Sequence, residues 1–175
     1  DNLDVLAKVV DNNLQFSIGW QNNADNLGKF EGVGQILGPN KFQIDLLPGF
    51  ITVHGQQWNS INPTAVFYDS SRFSIKNFLL KYDEHELYAD GKISAFNGDR
   101  LNIEVRKFNL RTLGFFIPIG TNLSGEINFS GFISNPYDKL SFQADLKLSN
   151  FQMSNQYLGE LSFNALWNKS DSAVT

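Results

Sequence analysis

The stretch Leu140-Ser-Phe142-Gln-Ala-Asp-Leu146-Lys-Leu-Ser-Asn-Phe151-Gln-Met153 alternates apolar and polar residues and then reaches an Asn-Phe pair followed by x-Met. Two earlier stretches, Phe73–Leu80 and Leu101–Leu110, alternate in the same way before an Asn-Phe or Lys-Phe pair followed by x-Leu. Alternation with a period of two residues is typical of a β-strand. A repeated strand phrase indicates one supersecondary unit stacked on copies of itself, so the fold is expected to extend along one axis.

Short glycine phrases separate the copies and support the same interpretation. They are Gly91-Lys-Ile93, Gly125-Glu-Ile127, Gly131-Phe-Ile133 and Gly159-Glu-Leu161. A surface built from stacked units of this kind suits a long apolar ligand better than a compact substrate.

Strand and turn signals continue through the rest of the chain, which contains 16 Phe, 20 Asn and 14 Gly. Phe favours the half-buried surface of a strand, and Asn and Gly favour turns. The sequence therefore predicts one all-β domain over residues 1–175 with about a dozen strands. The predicted strands are Leu3–Val10, Leu14–Trp20, Lys29–Ile36, Phe42–Leu46, Phe50–Gly55, Ala65–Tyr68, Phe73–Lys81, Glu86–Ser94, Leu101–Val105, Leu123–Ser134, Leu140–Leu148, Phe151–Met153 and Leu158–Trp167, with a loop over Asn59–Pro63.

One segment breaks the strand pattern. Asn109 is a favoured helix N-cap, and apolar residues follow it at a helical spacing as far as Phe116. This spacing predicts a turn or two of helix, ended by Pro118 and Gly120. The helix is expected to cap one end of the apolar surface or to close the core of the domain.

Charge and motifs exclude several classes of function. The chain has 14 Lys and Arg against 18 Asp and Glu, a net charge of −4, and the charges are scattered rather than gathered into the basic stripe of a nucleic-acid partner. Cysteine is absent, which excludes disulfide and thiolate chemistry. The sequence has neither a phosphate-cradling glycine loop nor a Gly-x-Ser-x-Gly motif, so a non-enzymatic chain without a cofactor is expected.

The two histidines offer little metal chemistry. His54 is predicted to lie in an alternating strand, and His85 in a hairpin turn. A metal site formed by Asp83, His85 and Glu86 is conceivable, but one flexible hairpin rarely supplies enough oriented ligands. A solvated turn without a metal ion is therefore expected.

The ends of the sequence favour a fragment of a longer, repeat-built protein. Asp1 leads directly into a strand-like run, and Asp171–Thr175 has the character of the opening of a further strand. No apolar run approaches the ~20 residues of a spanning helix, and no secretory signal is present. Any targeting signal or membrane anchor is expected to lie outside this fragment.

The order of several phrases carries a family resemblance. The matching stretches are Arg72–Leu80, His85–Ile93, Asp99–Val105, Phe108–Leu113, Leu123–Gly125, Gly131–Pro136, Leu158–Leu161 and Leu166–Asn168. As an ordered set they resemble the TamB family (translocation and assembly module, AsmA-like repeating β-groove proteins) in its Bacteroidetes-type form. The resemblance covers roughly residues 50–170, and the first strands share only its style.

This resemblance implies a fold and a function. The fold would be an elongated, curled, antiparallel or mixed sheet, a β-taco or open β-groove, with an apolar interior. The full-length protein would be anchored in the inner membrane, span the periplasm and work with a TamA-like outer-membrane barrel protein. The implied role is transport of phospholipid, or another apolar ligand, to the outer membrane, or protein assembly in that membrane, without catalytic residues.

One parity of the alternating strands supplies the candidate lining of such a groove. These residues are Phe73, Ile75, Leu87, Ala89, Ile93, Leu101, Ile103, Val105, Ile127, Phe129, Leu140, Phe142, Ala144, Leu146, Leu161, Phe163 and Ala165. The opposite parity is expected to face the periplasm. It carries Ser74, Lys76, Glu104, Asn128, Gln143, Asp145, Ser162 and Asn164.

Other interpretations remain open at this point. Phe78, Phe108 and Phe151 recur in every copy, and such residues usually belong to the core. The sequence does not separate a filled core from a lined groove, because the two share one alternation pattern. The alternative function is a carbohydrate- or protein-binding β-sandwich of a surface or secreted protein. Exposed aromatic side chains, with Trp20, Trp58 and Trp167 among them, would then stack on sugars. An enzyme on a β-scaffold is the third interpretation, and it would require convergent carboxylates or histidines.

Overall fold

A computed structural model describes residues 2–11, 13–23, 25–112, 122–154, 156–168 and 173–174. Fourteen strands form one open antiparallel sheet, accompanied by one short helical segment, which confirms the predicted all-β fold. The strands are β1 Asn2–Val10, β2 Asn13–Asn23, β3 Asn26–Gly38, β4 Lys41–Leu46, β5 Gly49–Val53, β6 Gln56–Ser60, β7 Thr64–Asp69, β8 Arg72–Tyr82, β9 His85–Ser94, β10 Arg100–Asn109, β11 Leu123–Ser134, β12 Ser141–Met153, β13 Gln156–Asn168 and β14 Ala173–Val174.

The topology is an up-and-down meander with two interrupted rows. β4 and β5 both pair with β3, and they are the halves of one long strand that is broken at Leu47 and Pro48. β6 and β7 both pair with β8, and they are the halves of the next row, broken over 61–63. Pro48 and Pro63 lie in these breaks, where a missing backbone donor is tolerated.

β6 corrects the prediction for this region. Gln56–Ser60 forms a strand, although Asn59–Pro63 was predicted to be a loop, and the strand expected to reach Gly55 ends at Val53. His54 and Gly55 have φ angles of 52° and 75°, so they form a left-handed two-residue turn rather than strand. The prediction was wrong because β6 is polar except for its Trp, and because His is uncommon in such turns.

The repeated Asn-Phe and Lys-Phe pairs are β-bulges. The register shifts between Ile75 and Phe78 in β8, and equivalent shifts occur in β10 and β12. The residue before each Phe is left-handed, with φ of 60° at Asn77, 49° at Lys107 and 51° at Asn150. β10 and β12 therefore run through the positions where the sequence predicted a strand end or a break.

Each bulge places its Phe on the apolar face, whereas strict alternation would place that Phe on the polar face. Ile75 and Phe78 are three residues apart, yet their cross-strand partners Gly91 and Ala89 lie on one face of β9. Without the extra residue, the Phe would point to the opposite face. The extra residue in each repeat therefore keeps the following Phe on the apolar face.

A side chain on the neighbouring strand satisfies the backbone of each bulge. The Asn77 N–H donates to Asp90 Oδ1 over 2.9 Å, and the Lys107 N–H donates to Asn128 Oδ1 over 2.9 Å. The Asn150 N–H donates to Glu160 Oε1 over 3.2 Å. These acceptors replace the ladder partner that a bulged residue loses.

The first turn of the predicted helix is present. Residues 110–112 are helical, and Asn109 Oδ1 accepts the N–H of Arg111 over 2.9 Å, as an N-cap does. Leu110 and Thr112 are buried. The predicted continuation to Phe116 and its stop signals lie outside the described residues.

The apolar core is small for a chain of this size. Among the described residues, the buried apolar side chains are Val53, Trp58, Phe108, Leu110, Phe151 and Ala165. The accessible surface is 11016 Å² for 19.7 kDa, whereas the area scaling of globular monomers gives about 8,600 Å². The chain therefore buries less surface than a compact globular domain of the same mass. Phe108 and Phe151 are buried and confirm the core interpretation of their repeat position, whereas Phe78 is half-buried.

Candidate apolar groove

The register gathers the predicted lining residues on one face of the sheet. Phe73 lies opposite Ile93, Phe129 opposite Leu146, and Leu146 opposite Phe163, and directly opposed residues share a face. The predicted residues placed on this face are Phe73, Ile75, Leu87, Ala89, Ile93, Leu101, Ile103, Val105, Ile127, Phe129, Phe142, Ala144, Leu146, Leu161, Phe163 and Ala165. Leu140 precedes β12 and has no ladder partner that would assign it to this face.

This apolar face extends further than the sequence analysis proposed, across β1 to β7. The additional residues are Leu3, Val5, Ala7, Val9, Leu14, Phe16, Ile18, Trp20, Phe30, Ile36, Phe42, Ile44, Leu46, Val66 and Tyr68. The same period-two alternation identifies them, but the family resemblance drew attention to the later strands. In the described strands, the apolar face carries no Asp, Glu, Lys or Arg side chain.

The face is incompletely covered along its length. Its central residues, such as Ile103 and Phe129, are half-buried. Towards the two edges the exposure rises, to 71% for Val9 and 58% for Phe163. Large exposed apolar surfaces of this kind mark sites of interaction with lipids, ligands or other chains.

Aromatic rings lie flat over glycines in the first part of the sheet. A Cβ on Gly28 would lie 2.3 Å from the Trp20 ring, and one on Gly32 would lie 2.8 Å from the Phe16 ring. A Cβ on Gly49 would likewise lie 2.7 Å from the Phe30 ring. The glycines leave room for the rings to lie along the sheet, so they form a floor instead of filling the groove.

A packed aromatic cluster lies where β5, β6, β8 and β10 end. The Trp58 ring centroid is 5.3 Å from that of Phe108 and 5.9 Å from that of Tyr82. Tyr82 stacks on His85 with centroids 5.6 Å apart, and His85 Nδ1 contacts the Lys107 carbonyl. This cluster closes the apolar face at one end of these strands.

The two histidines lie in structural positions: His85 stacks on Tyr82, and His54 lies in the turn between β5 and β6. Asp83, His85 and Glu86 were the candidate metal ligands, but Glu86 pairs with Lys81 across the hairpin at 2.8 Å. Lys81 donates a hydrogen bond to Glu86 and lowers the pKa of that carboxyl below its usual value. In the part of the chain that the structure describes, no group of three His, Asp or Glu residues is placed to hold a metal ion.

The charged side chains of the central strands lie on the opposite, polar face. Arg106 contacts Glu86 at 3.3 Å and Glu104 at 2.9 Å, and Lys107 pairs with Glu84. That bond from Lys107 lowers the pKa of Glu84 and raises the pKa of Lys107 itself. The arrangement balances charge on the solvated face, and within the described strands it leaves the apolar face without a carboxylate, ammonium or guanidinium group.

A polar cluster lies at the other end of the strands. The buried Asp99 carboxylate accepts from Ser94 Oγ at 2.7 Å and pairs with Lys92 at 3.0 Å. The Ser94 bond, and then the Lys92 bond and charge, lower the pKa of Asp99. Ser134 Oγ donates to the Asp99 carbonyl at 2.7 Å and ties the loop to β11.

Comparison with known proteins returned no match among family models, curated proteins or solved structures. Within the described residues, no helix has the length and apolar character needed to cross a membrane. The interpretation of the site therefore depends on the geometry of the apolar face.

Proposed function

We propose that this chain is a non-enzymatic segment of a cell-envelope protein that carries the acyl chains of phospholipids along an open apolar β-groove. The observation that carries the proposal is the continuous apolar face, which crosses the sheet from β1 to β13 and remains largely uncovered. In the full-length protein, this segment would lie in the periplasm and serve lipid transport to, or protein assembly in, the outer membrane.

The physical chemistry of an acyl chain fits such a face. Exposing a chain to water costs about 0.8 kcal/mol for each methylene, so a free lipid tail crosses an aqueous gap very slowly. Backbone donors and acceptors inside the sheet are already used in ladders on both sides. A ligand on this face is therefore bound through apolar contact and shape, which suits a tail that moves along a groove.

The sandwich alternative has less support. It requires two packed sheets and exposed tryptophans, whereas the described strands form one sheet. Trp58 is 3% exposed, Trp20 covers Gly28, and Trp167 is half-buried. A flat sugar-stacking platform is not formed by these three side chains.

The wider assignment depends on the TamB resemblance. It supplies the proposed inner-membrane anchor outside this fragment and the proposed TamA-like barrel partner in the outer membrane. Both belong to other parts of the full-length protein, so the experiment on this chain concerns the groove alone.

The test is lipid binding by the 175-residue chain purified from a Gram-negative host, measured by native mass spectrometry and lipid extraction. Phe129→Glu places a charge on the apolar face. Phe132→Glu is the matched control, because Phe132 lies on the same strand but on the polar face, against Arg100 at 4.4 Å. We expect co-purified phospholipid with the parent and with Phe132→Glu, and its loss with Phe129→Glu.

Circular dichroism spectra of both variants test whether the sheet is retained. A lipid-free parent that also fails to take up fluorescent phospholipid would contradict the proposal. Equal lipid loss in both folded variants would also contradict it, because the apolar face would then have no special role.

A further inference from the structure

Among the β3 glycines opposite apolar-face residues of β2, Gly34 is not covered by a ring. Gly28 and Gly32 on β3 lie beneath Trp20 and Phe16, but a Cβ on Gly34 would meet only Leu14 atoms, at 3.8 Å. Its cross-strand neighbours are Leu14 on β2 and Ile44 on β4. Gly34 thus leaves a gap in the row of aliphatic side chains that crosses the sheet from Leu14 to Ile44.

This gap is a cavity of about 400 Å³ that spans four neighbouring strands, β1 to β4. Its apolar lining is Val9, Leu14, Phe16, Ile36, Phe42 and Ile44. The volume falls in the range of about 300–1,000 Å³ that small-molecule sites occupy. Four strands at about 4.8 Å spacing give a length of roughly 14 Å across the sheet, the direction in which the groove runs.

On the apolar face, the cavity offers a ligand no charged or hydrogen-bonding side chain. Gln35 and Gln43 border it, but they oppose each other on the polar face, where Gln43 Nε2 donates to Asp45 Oδ2 at 2.9 Å. β3 is paired on both sides here, so an added peptide strand finds no free ladder groups. The occupant must therefore be apolar along its length and narrow enough to settle into the gap over Gly34.

We infer that the gap over Gly34 is the seat of a single acyl chain, which lies across β1 to β4 with its polar headgroup outside the cavity. This inference deepens the proposed function and rests on it. The seat exists because position 34 lacks a side chain, so the identity of this one residue sets whether a chain fits.

The exposure of the walls agrees with an occupant that is not part of the sheet. Ile36 is 80% exposed and Val9 is 71% exposed, although both point to the apolar face. An acyl chain over Gly34 would cover both side chains together. A headgroup would project past the strand ends, since the lining carries no charge.

The experiment uses palmitate with a diazirine near its methyl end, added to the delipidated chain and activated by light. Cross-linked peptides are located by mass spectrometry. We expect cross-links on the peptides of β2, β3 and β4 that line the cavity. Gly34→Leu fills the gap and should reduce these cross-links at least about tenfold.

Two variants control for folding and for added apolar bulk. Gly34→Ala fits, because its Cβ would make only ordinary contacts at 3.8 Å, and it should keep most of the labelling. Gln15→Leu adds a leucine to the polar face of β2 and should label like the parent. Thermal melting of all three variants shows whether loss of labelling follows loss of fold.

The outcomes separate the seat from the proposed function. Cross-links confined to β8–β12, unaffected by Gly34→Leu, would overturn the seat and leave the lipid groove standing. No specific cross-link anywhere would overturn both. A parent that forms dimers, converted to monomers by Gly34→Leu without change in labelling, would assign the gap to a second copy of this chain and overturn the inference.

Discussion

Two regions of the sheet keep the same apolar face in different ways. The N-terminal section, β1–β5, has rings that lie over Gly28, Gly32 and Gly49, a contact that Phe129 over Gly131 repeats in the later strands. The C-terminal section, β8–β13, has three bulges, each with a left-handed residue whose N–H bonds to a side chain on the next strand. Flat rings leave the face open, whereas bulges turn strands and bring Phe side chains together.

The two sections differ in how far their aromatic and aliphatic side chains are buried. In the C-terminal section Phe108, in the closing cluster, and Phe151, on β12, are buried, while Leu14 and Phe42 of the N-terminal section remain more than a third exposed. Buried residues therefore gather around the bulges and the closing cluster, whereas the apolar face becomes more exposed towards β1 and, at Phe163, towards β13. Each prediction below compares a residue of one section with a residue of the other, or with a matched variant.

The largest effect is expected for Phe108→Ala. Phe108 is 4% exposed and packs against Trp58, so its truncation should cost about 3–5 kcal/mol of unfolding free energy. Leu14→Ala, at a position 44% exposed, should cost about 1 kcal/mol or less. Urea denaturation followed by tryptophan fluorescence measures both, and equal costs would show that the two sections do not differ in packing.

Gly32→Ala tests the flat-ring floor of the N-terminal section. Its Cβ would lie 2.6 Å from the Asp45 carbonyl oxygen and 2.8 Å from the Phe16 ring, so backbone or ring must move, at a cost of about 1–3 kcal/mol. Gly34→Ala is the matched control, and its stability should stay within about 0.5 kcal/mol of the parent. If thermal denaturation finds the two variants alike, close ring contact is not what requires glycine at position 32.

Much of this architecture follows from the sequence alone. Leu123–Ser134 was predicted with the bounds that the structure has, and alternation placed the later lining residues on one face. The repeated Phe pairs were visible, but their bulge was not, because its acceptor lies on another strand. Asp90 is 13 residues from Asn77, and only the register brings them together.

The N-terminal half of the candidate groove was missed partly because the family resemblance covers the later strands, and partly for a related reason. Its alternation is as clear as that of the later strands, but Gly28 and Gly32 interrupt the apolar series. Their partners Trp20 and Phe16 become evident only when β2 and β3 are paired. A sequence pattern reports side chains, whereas here the space left by a missing side chain shapes the site.

Asp90→Ala tests a bulge of the C-terminal section. The variant removes the oxygen that accepts the Asn77 N–H, and the loss of this partly solvated bond should cost about 1 kcal/mol. Asp90→Asn retains an oxygen at the same position and should recover most of that stability. Hydrogen exchange of the Asn77 amide distinguishes the variants, and equal protection in both would show that the side-chain acceptor does not hold the bulge.

The smallest effects are expected from titration, where the two sections again differ. Hydrogen bonding from Ser94, followed by the bond and charge of Lys92, lowers the pKa of the buried Asp99 below 3.8. Because the folded pKa is lowered, the unfolded chain binds more protons, so this contribution is present above about pH 4 and is lost as pH falls through the folded value. The melting-temperature gap between the parent and Asp99→Asn should therefore shrink on acidification below about pH 4.

Glu31 provides the contrasting case in the N-terminal section. Its pKa is also lowered, chiefly by a hydrogen bond from Lys29, but the side chains in this pair are 46% and 55% exposed. Salt screens such a pair, so the gap between the parent and Glu31→Gln should be small and should vanish in roughly 0.5 M sodium chloride. The Asp99→Asn gap should persist in the same salt, because the Asp99 side chain is 8% exposed and accepts a hydrogen bond from Ser94. Equal salt sensitivity of the two gaps would mean that the Asp99 carboxylate is as solvated as the Lys29–Glu31 pair, which would contradict the role given to its burial.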